Sequence, residues 1–246
     1  MSEPESGACL VIGAGADTGG AIAHAFAQEG YQACLARRPR NADELETLAQ
    51  SIRTEGNIAH VTPVDARDEE AMIALVERIE TEIAPIEVAV FNVGANVNFP
   101  IAEMTGRVYR KVWEMAAFSG FLMGREVAKR MDTRRRGTIL FTGATASLRG
   151  GPGYAAFAGA KFALRALAQS MARELGPKNI HVAHVVIDGA IDSKFIRENL
   201  PDVDERRSED AILSPDAIAA NYVMLHNQPR SAWTHELDLR PWKENW

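Results

Sequence analysis

The sequence predicts an α/β protein built on a doubly wound parallel sheet, in a single domain over residues 1–246. Short apolar runs alternate with segments whose apolar residues recur at helical spacing, which is typical of repeated strand–helix units. The strand candidates are continuously apolar, as expected when helices cover both faces of a sheet. No internal repeat or linker divides the 246 residues, and α/β chains of this length often form one domain.

Seven strands and six helices follow from this pattern. Strands are expected at Ala8–Ile12, Gln32–Ala36, Ala59–Val64, Glu87–Asn92, Thr138–Thr142, His181–Ile187 and Glu236–Leu239. Helices are expected at Gly19–Gln28, Asp43–Ile52, Glu69–Ile83, Val108–Met131 and Ala155–Leu175, with a last one starting after Ser214-Pro215. Residues 190–213 are the least regular stretch. Because they follow the sixth strand, they form either an acidic surface loop or a lid over a substrate pocket.

Composition excludes several classes of partner. A net charge of −6 leaves no basic surface of the kind that nucleic acid requires. Residues 1–7 lack the regions of a signal peptide, and no apolar run reaches the ~18 residues that span a bilayer. Cys9 and Cys34 lie in apolar, strand-like runs without the spacing of a metal site. We therefore expect a cytoplasmic protein that uses no nucleic acid, membrane or metal.

A glycine-rich turn joins the first strand to the first helix, in the segment CLVIGAGADTGGAIAHAF. Gly13, Gly15 and Gly19 would let backbone N–H groups approach a pyrophosphate at the helix N-terminus. The place of this turn in the strand–helix pattern makes the motif more specific than glycines alone. Asp17 argues against such a ligand, because a carboxylate ~6 Å from a phosphate charge costs ~3 kcal/mol at an effective dielectric of ~20 unless it points away.

Several motifs together resemble the short-chain dehydrogenase/reductase family, from about Ala8 to Leu239. The matching segments are the turn Gly13-x-x-x-Asp17-x-Gly19 with one glycine replaced, the pair Asp65-Ala66, the triplet Asn92-Val93-Gly94, and residues 188–193, DGAIDS. In the family, the pair that Asp65-Ala66 resembles holds the adenine ring. The segment that residues 188–193 resemble lies beside the nicotinamide, where Gly189 and Ile191 would bind the cofactor. The resemblance implies a Rossmann-type fold and an oxidoreductase that uses a nicotinamide dinucleotide.

The end of the second strand, LARRPR, indicates which dinucleotide is expected. Folds of this kind that bind NAD place a carboxylate there for the ribose 2′-hydroxyl. Here Ala36 occupies that position, and Arg37 and Arg38 follow it. Two guanidinium groups suit a 2′-phosphate through charge-assisted hydrogen bonds, so NADP is expected rather than NAD. The alternative is that both arginines face solvent without a ligand.

The family's proton relay consists of an Asn, a Ser, a Tyr and a Lys, and the resemblance implies that Lys161 alone remains. The tyrosine position, four residues before the lysine, is Phe157. The serine position is Ala144 and the asparagine position is Ala117. Loss of a general acid costs about 10²- to 10⁴-fold in rate, so carbonyl reduction by the family's ordinary route should be nearly absent.

Replacement groups lie nearby in the sequence. Tyr154 lies one helical turn before Phe157 and could present its hydroxyl to the same pocket, or could only line that pocket. Lys161 could hold the ribose, or could act as the acid if burial lowers its pKa. Asp188 and Asp192 could supply a carboxylate near the nicotinamide, or could be solvent-exposed turn residues.

The resemblance also implies a homodimer or homotetramer, formed through the helices predicted at Val108–Met131 and Ala155–Leu175. These helices carry more apolar side chains than one buried face needs, namely Phe118, Phe121, Leu122, Leu164, Leu167 and Met171.

Three functions remain open at this point. The first is an NADP(H)-binding oxidoreductase that acts on an unknown carbonyl or alcohol with a non-standard proton donor, Tyr154 together with Lys161. The second is a catalytically inactive, nucleotide-binding pseudoenzyme with a regulatory or partner-binding role. The third is non-redox chemistry on the same scaffold, with Tyr154 or Asp188 as the base.

Overall fold

Seven strands form one parallel sheet in the computed structural model, which describes residues 7–244. The strands are β1 (Ala8–Ile12), β2 (Gln32–Arg37), β3 (Ala59–Pro63), β4 (Ile86–Phe91), β5 (Gly137–Thr142), β6 (Ile180–Ile187) and β7 (Glu236–Leu239). They lie in the order β3-β2-β1-β4-β5-β6-β7. The predicted strands agree with these bounds to within one residue. Most of the segment 1–7, used above to argue against a signal peptide, lies outside the described residues.

The helices that connect the strands are those that the apolar periodicity predicts, with two short ones in addition. They are α1 (Thr18–Gln28), α2 (Ala42–Thr54), α3 (Glu69–Arg78), α4 (Gly106–Trp113), α5 (Ser119–Arg134), α6 (Ala155–Leu175), α7 (Lys194–Asn199), α8 (Val203–Ser208) and α9 (Pro215–His226). Within residues 7–244, no helix combines the length and the apolar character that crossing a bilayer requires.

Two layers of helices bury the two faces of the sheet. Helices α3, α5 and α6 pack one apolar cluster against it, which includes Met72, Leu122 and Leu164. Helices α1, α2 and α9 pack a second cluster on the opposite face, which includes Phe26 and Tyr222. The predicted class, a doubly wound parallel sheet of the Rossmann type, is therefore confirmed. Because the strand order reverses between β1 and β4, a crevice is expected beyond the carboxyl ends of these two strands.

Three predicted elements differ in detail from the structure. The helix expected at Glu69–Ile83 is α-helical only to Arg78 and ends in a π-helical turn at Ile79–Ile83. The helix expected at Val108–Met131 is interrupted by a wide π-helical turn at Glu114–Phe118. A π-helical turn contains one residue more than an α-helical turn. With this spacing the rings of Trp113 and Phe118 stack, with their centroids 6.1 Å apart. Residues 190–213 are not an irregular loop, because they contain the two short helices α7 and α8.

Ion pairs rather than an apolar face organise these two short helices, which we call the lid helices after the lid that the sequence left as one of two alternatives. Asp192 is nearly buried and accepts hydrogen bonds of 2.8 Å from Nε of both Arg197 and Arg207. These hydrogen bonds hold the pKa of Asp192 well below its usual range. One carboxylate thus joins both lid helices, which is why apolar periodicity did not predict them.

Candidate active site

A cavity of about 1220 Å³ opens at the carboxyl edge of the sheet, beside the switch point between β1 and β4. The candidates Asp188 and Asp192 do not line it, whereas the cofactor-binding residues named from the sequence do, together with Tyr154 and Lys161: Gly13, Gly15, Asp17, Gly19, Arg37, Arg38, Asp65, Ala66, Asn92, Val93, Gly94, Tyr154, Lys161, Gly189 and Ile191. These residues come from six separate loops or helices. The fold brings them together because the carboxyl ends of parallel strands meet at one edge.

The glycine-rich turn approaches neighbouring backbone too closely for side chains. Gly13 has a φ of +89°, and a Cβ there would lie 2.4 Å from the carbonyl oxygen of Asn92. A Cβ at Gly19 would lie 2.3 Å from the carbonyl oxygen of Gly13. Asn92 also donates from Nδ2 to that Gly13 oxygen, at 3.3 Å. The turn after β1 is therefore fixed against the end of β4, with the first turn of α1 open to the cavity.

Asp17, which stands in this turn, contacts a lid helix. Its Oδ1 accepts a hydrogen bond from the backbone N–H of Lys194, the first residue of α7, at 3.0 Å. Lys194, Phe195 and Glu198 of the same helix line the cavity. The carboxylate therefore links the glycine-rich turn to the lid helices, a contact between residues 177 positions apart in the chain.

Replacing Asp17 with alanine is expected to loosen the lid helices. One hydrogen bond to a charged acceptor is worth about 1.5 kcal/mol, so trypsin should cleave at Arg197 and Arg207 about tenfold faster than in the unmodified protein. Asp216→Ala, which removes an exposed carboxylate from α9, is the matched control. Equal cleavage rates for the two variants would contradict a tethering role for Asp17.

The end of the cavity next to β2 carries charged pairs. Arg37 donates from Nη1 to Glu44 of α2 at 2.5 Å, and its guanidinium lies 3.6 Å from where a Cβ on Gly15 would stand. Asp65 accepts from Nε of Arg67 at 2.9 Å, and these hydrogen bonds lower the pKa of Asp65. Sequence reasoning missed Glu44 and Arg67, whose roles depend on which way helix α2 and the turn after β3 face.

The opposite end contains Lys161 with apolar neighbours. Its Nζ donates to the carbonyl oxygens of Val93, at 3.1 Å, and Thr142, at 2.8 Å. It also lies 5.8 Å from the centre of the Phe157 ring. Burial lowers the pKa of Lys161 to about 8. The lysine is thus held at the floor of the cavity by backbone carbonyls, with an aromatic ring beside it.

Tyr154 immediately precedes α6 and lines the same cavity as Phe157. Its carbonyl oxygen accepts the first hydrogen bond of the helix, from the N–H of Ala158 at 2.8 Å. Its side chain is 36% exposed. The phenol therefore has access to the cavity from a fixed backbone position, one turn above Phe157.

Asp188 and Asp192 are not solvent-exposed turn residues, which was one alternative from the sequence. The Asp188 side chain is 1% exposed, and its Oδ1 accepts from Oγ1 of Thr145 at 2.5 Å. Arg149 and Arg240 both approach the Asp188 carboxylate, at 3.2 and 3.4 Å. Three groups from two other segments of the chain thus make its burial possible.

A buried histidine that sequence reasoning missed lies behind the loop that follows β5. His184 is fully buried, and its Nδ1 lies 3.0 Å from Oε2 of Glu236, which also pairs with Arg165. Burial lowers the pKa of His184 to about 4, so the ring is neutral at pH 7. A Cβ at Gly143 would lie 2.4 Å from its Nε2, so the imidazole supports this loop from behind.

Replacing Lys161 with methionine is expected to change how stability depends on pH. The folded-state pKa of about 8 lies below the ordinary value of 10.5, so between these values the unfolded chain binds more protons than the folded one. Stability of the unmodified protein relative to Lys161→Met should therefore rise by about 3 kcal/mol from pH 8 to 10.5, at about 1.4 kcal/mol per pH unit. Urea unfolding of both proteins measures this, and a constant difference would contradict it.

Comparison with known proteins identifies the family. The family model described as short chain dehydrogenase matches residues 8–203. Gluconate 5-dehydrogenase of Gluconobacter oxydans (strain 621H) is 29% identical over 187 residues, which are 74% of this chain and 72% of that protein. The chain belongs to the short-chain dehydrogenase family, as the motifs had indicated.

Solved structures agree with this assignment. A short-chain dehydrogenase from Rhodopseudomonas palustris is 48% identical, with a TM-score of 0.83 that covers 97% of this chain and 100% of the other. An alcohol dehydrogenase from the archaeon Thermococcus sibiricus, complexed with 5-hydroxy-NADP, has the same fold, at 23% identity and a TM-score of 0.85 over 98% and 99% of the two chains.

Proposed function

We propose that this protein is an NADP(H)-dependent oxidoreductase that interconverts a carbonyl compound and an alcohol, with Tyr154 as the proton donor. The observation that carries the proposal is the single cavity in which the glycine-rich turn, the paired arginines, Tyr154 and Lys161 all meet. The NADP analogue named with the Thermococcus sibiricus structure is consistent with this choice of cofactor.

The residues present fit a dinucleotide. Gly13 and Gly19 leave a turn without side chains at the start of α1, where backbone N–H groups would bind the pyrophosphate. Arg37 and Arg38 would bind the 2′-phosphate, and Asp65 with Ala66 the adenine. Gly189 and Ile191 would bind the nicotinamide end, which supplies or accepts the hydride when bound.

Asn92, Val93 and Gly94 would form the wall of the cavity between the two ends of the dinucleotide. Asp17 does not prevent binding in this account, because its carboxylate hydrogen bonds to the Lys194 N–H of the lid. The lid helices would close over the bound cofactor and exclude water from the reacting atoms.

The proton step depends on two residues. The Tyr154 hydroxyl would give its proton to the substrate oxygen during reduction, and would take it back during oxidation. Lys161 lies at the floor of the cavity beside Phe157. Its ammonium would stabilise the negative charge that develops on the substrate oxygen. Phe157 and Ala144 leave an apolar wall at the positions where the family resemblance implies a tyrosine and a serine.

The experiment is a search for turnover by the purified protein. NADPH consumption is followed with a panel of aldehydes, ketones and oxo acids, and NADP reduction with the corresponding alcohols. Turnover that is lost in Lys161→Met supports the proposal. NADPH binding without turnover on the whole panel would instead support a nucleotide-binding pseudoenzyme. This second candidate is favoured by the presence of Ala144 and Phe157 at the serine and tyrosine positions.

We also propose that the protein forms a homo-oligomer through α4, α5 and α6. Of the six apolar residues named from the sequence, Leu122 and Leu164 are fully buried in the chain's own core, and Phe118, Leu167 and Met171 pack against it. Phe121 remains 39% exposed. The large apolar side chains that these three helices expose are those of Tyr109, Trp113, Phe121 and Phe162.

Replacing Trp113 and Phe121 with serine is expected to convert the oligomer to a monomer. These two exposed rings flank Phe118, with centroids 6.1 Å from it on each side, so their loss removes the centre of the apolar surface. Light scattering measures the mass. Ile58→Ser, which removes an exposed apolar side chain just before β3, is the control and should leave the mass unchanged. A monomeric unmodified protein would contradict the proposal.

A further inference from the structure

Arg149 occupies a position in the cavity that the proposed reaction does not yet use. It follows β5, and it lines the cavity together with Thr145, Gly150 and Tyr154. Its side chain is 46% exposed, so the guanidinium is open to a ligand that enters the cavity. Phe157 packs against Ala144 and Ala146, in the segment that leads to Arg149, which places Arg149 at the Phe157 end of the cavity rather than at the glycine-rich turn.

A buried carboxylate orients this guanidinium. Nη1 of Arg149 donates to Oδ2 of Asp188 at 3.3 Å, and Nη2 donates to Oδ1 at 3.2 Å. These bonds use two of the five N–H groups that an arginine carries. Nε–H and the second hydrogen of each Nη remain for a ligand, because the Arg149 side chain makes no other hydrogen bond to the described part of the chain.

Arg149 is one of several partners of the Asp188 carboxylate. That carboxylate also accepts from Oγ1 of Thr145 at 2.5 Å and lies 3.4 Å from Nη2 of Arg240. The Arg240 side chain is 13% exposed, whereas that of Arg149 is 46% exposed. Arg240 also pairs with Asp238, so Asp188 shares the two arginines, and Arg149 is the more exposed cation, held at the cavity wall.

The charges around this part of the cavity favour an anion. Lys161 lies at the floor, and Lys194 of α7 lies at the lid. Glu198 also lines the cavity, but the side chains of Lys194 and Glu198 are both exposed and lie 4.0 Å apart, so their charges offset each other and Lys161 remains as the buried cation. An oriented guanidinium with free N–H groups binds a carboxylate in a fixed geometry, which a single ammonium does not.

We propose that Arg149 is a specificity-determining residue that binds a carboxylate of the substrate, so that the enzyme acts on oxo acids or hydroxy acids in preference to neutral carbonyl compounds. This inference rests on the proposed function in one respect, namely that the substrate enters this cavity. Asp188 acts as a positioning residue because it holds the guanidinium, and Thr145 in turn holds the Asp188 carboxylate through Oγ1.

The test compares carboxylates with their own amides. Levulinate, benzoylformate and D-gluconate, each paired with the corresponding primary amide, are titrated into the protein in the presence of NADP, with binding followed by ligand-observed NMR. At least one carboxylate should bind about tenfold or more tightly than its amide, which corresponds to a charge-assisted hydrogen bond. Arg149→Gln should remove this preference.

Two further variants keep the result decisive. Arg149→Lys keeps the charge but loses the planar pair of donors, so the preference for the carboxylate over its amide should fall about threefold or more. This comparison tests the proposal if Arg149→Gln does not fold. Arg173→Gln removes an exposed charge from α6 and should change nothing.

Three results would overturn the proposal: equal binding of carboxylate and amide, a preference that survives in Arg149→Gln and Arg149→Lys, or no carboxylate binding at about 10 mM. NADPH titration of the same samples reports the proposed function separately. Loss of cofactor binding with an intact, Arg149-dependent carboxylate preference would refute the oxidoreductase proposal and leave this one standing.

Discussion

Replacing Tyr154 with phenylalanine is expected to lower the rate of carbonyl reduction about 10²- to 10⁴-fold, because the change removes the proposed general acid and leaves the ring in place. Adding Phe157→Tyr to that variant should restore much of the loss. The Phe157 ring is centred 5.8 Å from Lys161 Nζ, so a hydroxyl there would lie beside a cation that favours its ionised form. Steady-state NADPH consumption with one substrate from the panel measures both changes.

The paired design separates chemistry from folding. Both changes exchange one ring oxygen at the wall of a cavity, where little packing is altered, so the unfolding midpoint should stay nearly constant in each variant. Full activity in Tyr154→Phe would contradict the role of Tyr154. Failure of Phe157→Tyr to recover activity, in a variant that still binds NADPH, would show that Lys161 alone cannot activate a new hydroxyl at position 157.

Replacing Arg37 and Arg38 with serine is expected to weaken NADPH binding about 100-fold and NADH binding less than threefold. Each lost charge-assisted hydrogen bond to a phosphate contributes about 1.5 kcal/mol or more, and NADH has no 2′-phosphate to lose. Calorimetric titration of the double variant with both cofactors measures the two effects. Equal losses for both cofactors would contradict a role in selecting NADP.

A change at Glu44 is expected to have the opposite effect on NADPH binding. Its carboxylate lies 2.5 Å from Nη1 of Arg37 and lines the cavity, so a 2′-phosphate would meet both the guanidinium and the carboxylate. Glu44→Gln removes a negative charge without shortening the side chain, and should strengthen NADPH binding severalfold while NADH binding stays constant. Weaker NADPH binding in this variant would show that Glu44 orients Arg37 for the phosphate.

The fold could be predicted because buried parallel strands are continuously apolar in sequence. β1, β4 and β6 are buried at every residue, and the runs that predicted them coincide with their bounds to within one residue. The cavity residues could be predicted for a related reason, since each motif follows a strand and all strands point to one edge. No tertiary information was needed for either step.

The remaining features depend on contacts between distant segments. Asp17 meets the backbone of Lys194, and Asp188 meets side chains from residues 145, 149 and 240. A segment such as DGAIDS is typical of a surface turn, and only the approach of Arg149 and Arg240 explains how Asp188 is buried. The lid helices escaped prediction because Asp192, rather than an apolar stripe, holds them.

Calorimetric titration of the unmodified protein with NADPH and with NADH tests the central claim most directly. We expect micromolar binding of NADPH and weaker binding of NADH, because Asp17 accepts a hydrogen bond from the backbone of α7 and the paired arginines would donate hydrogen bonds to the 2′-phosphate. No binding of either cofactor at millimolar concentration would contradict the account, because it would remove the hydride donor on which the proposed reaction depends.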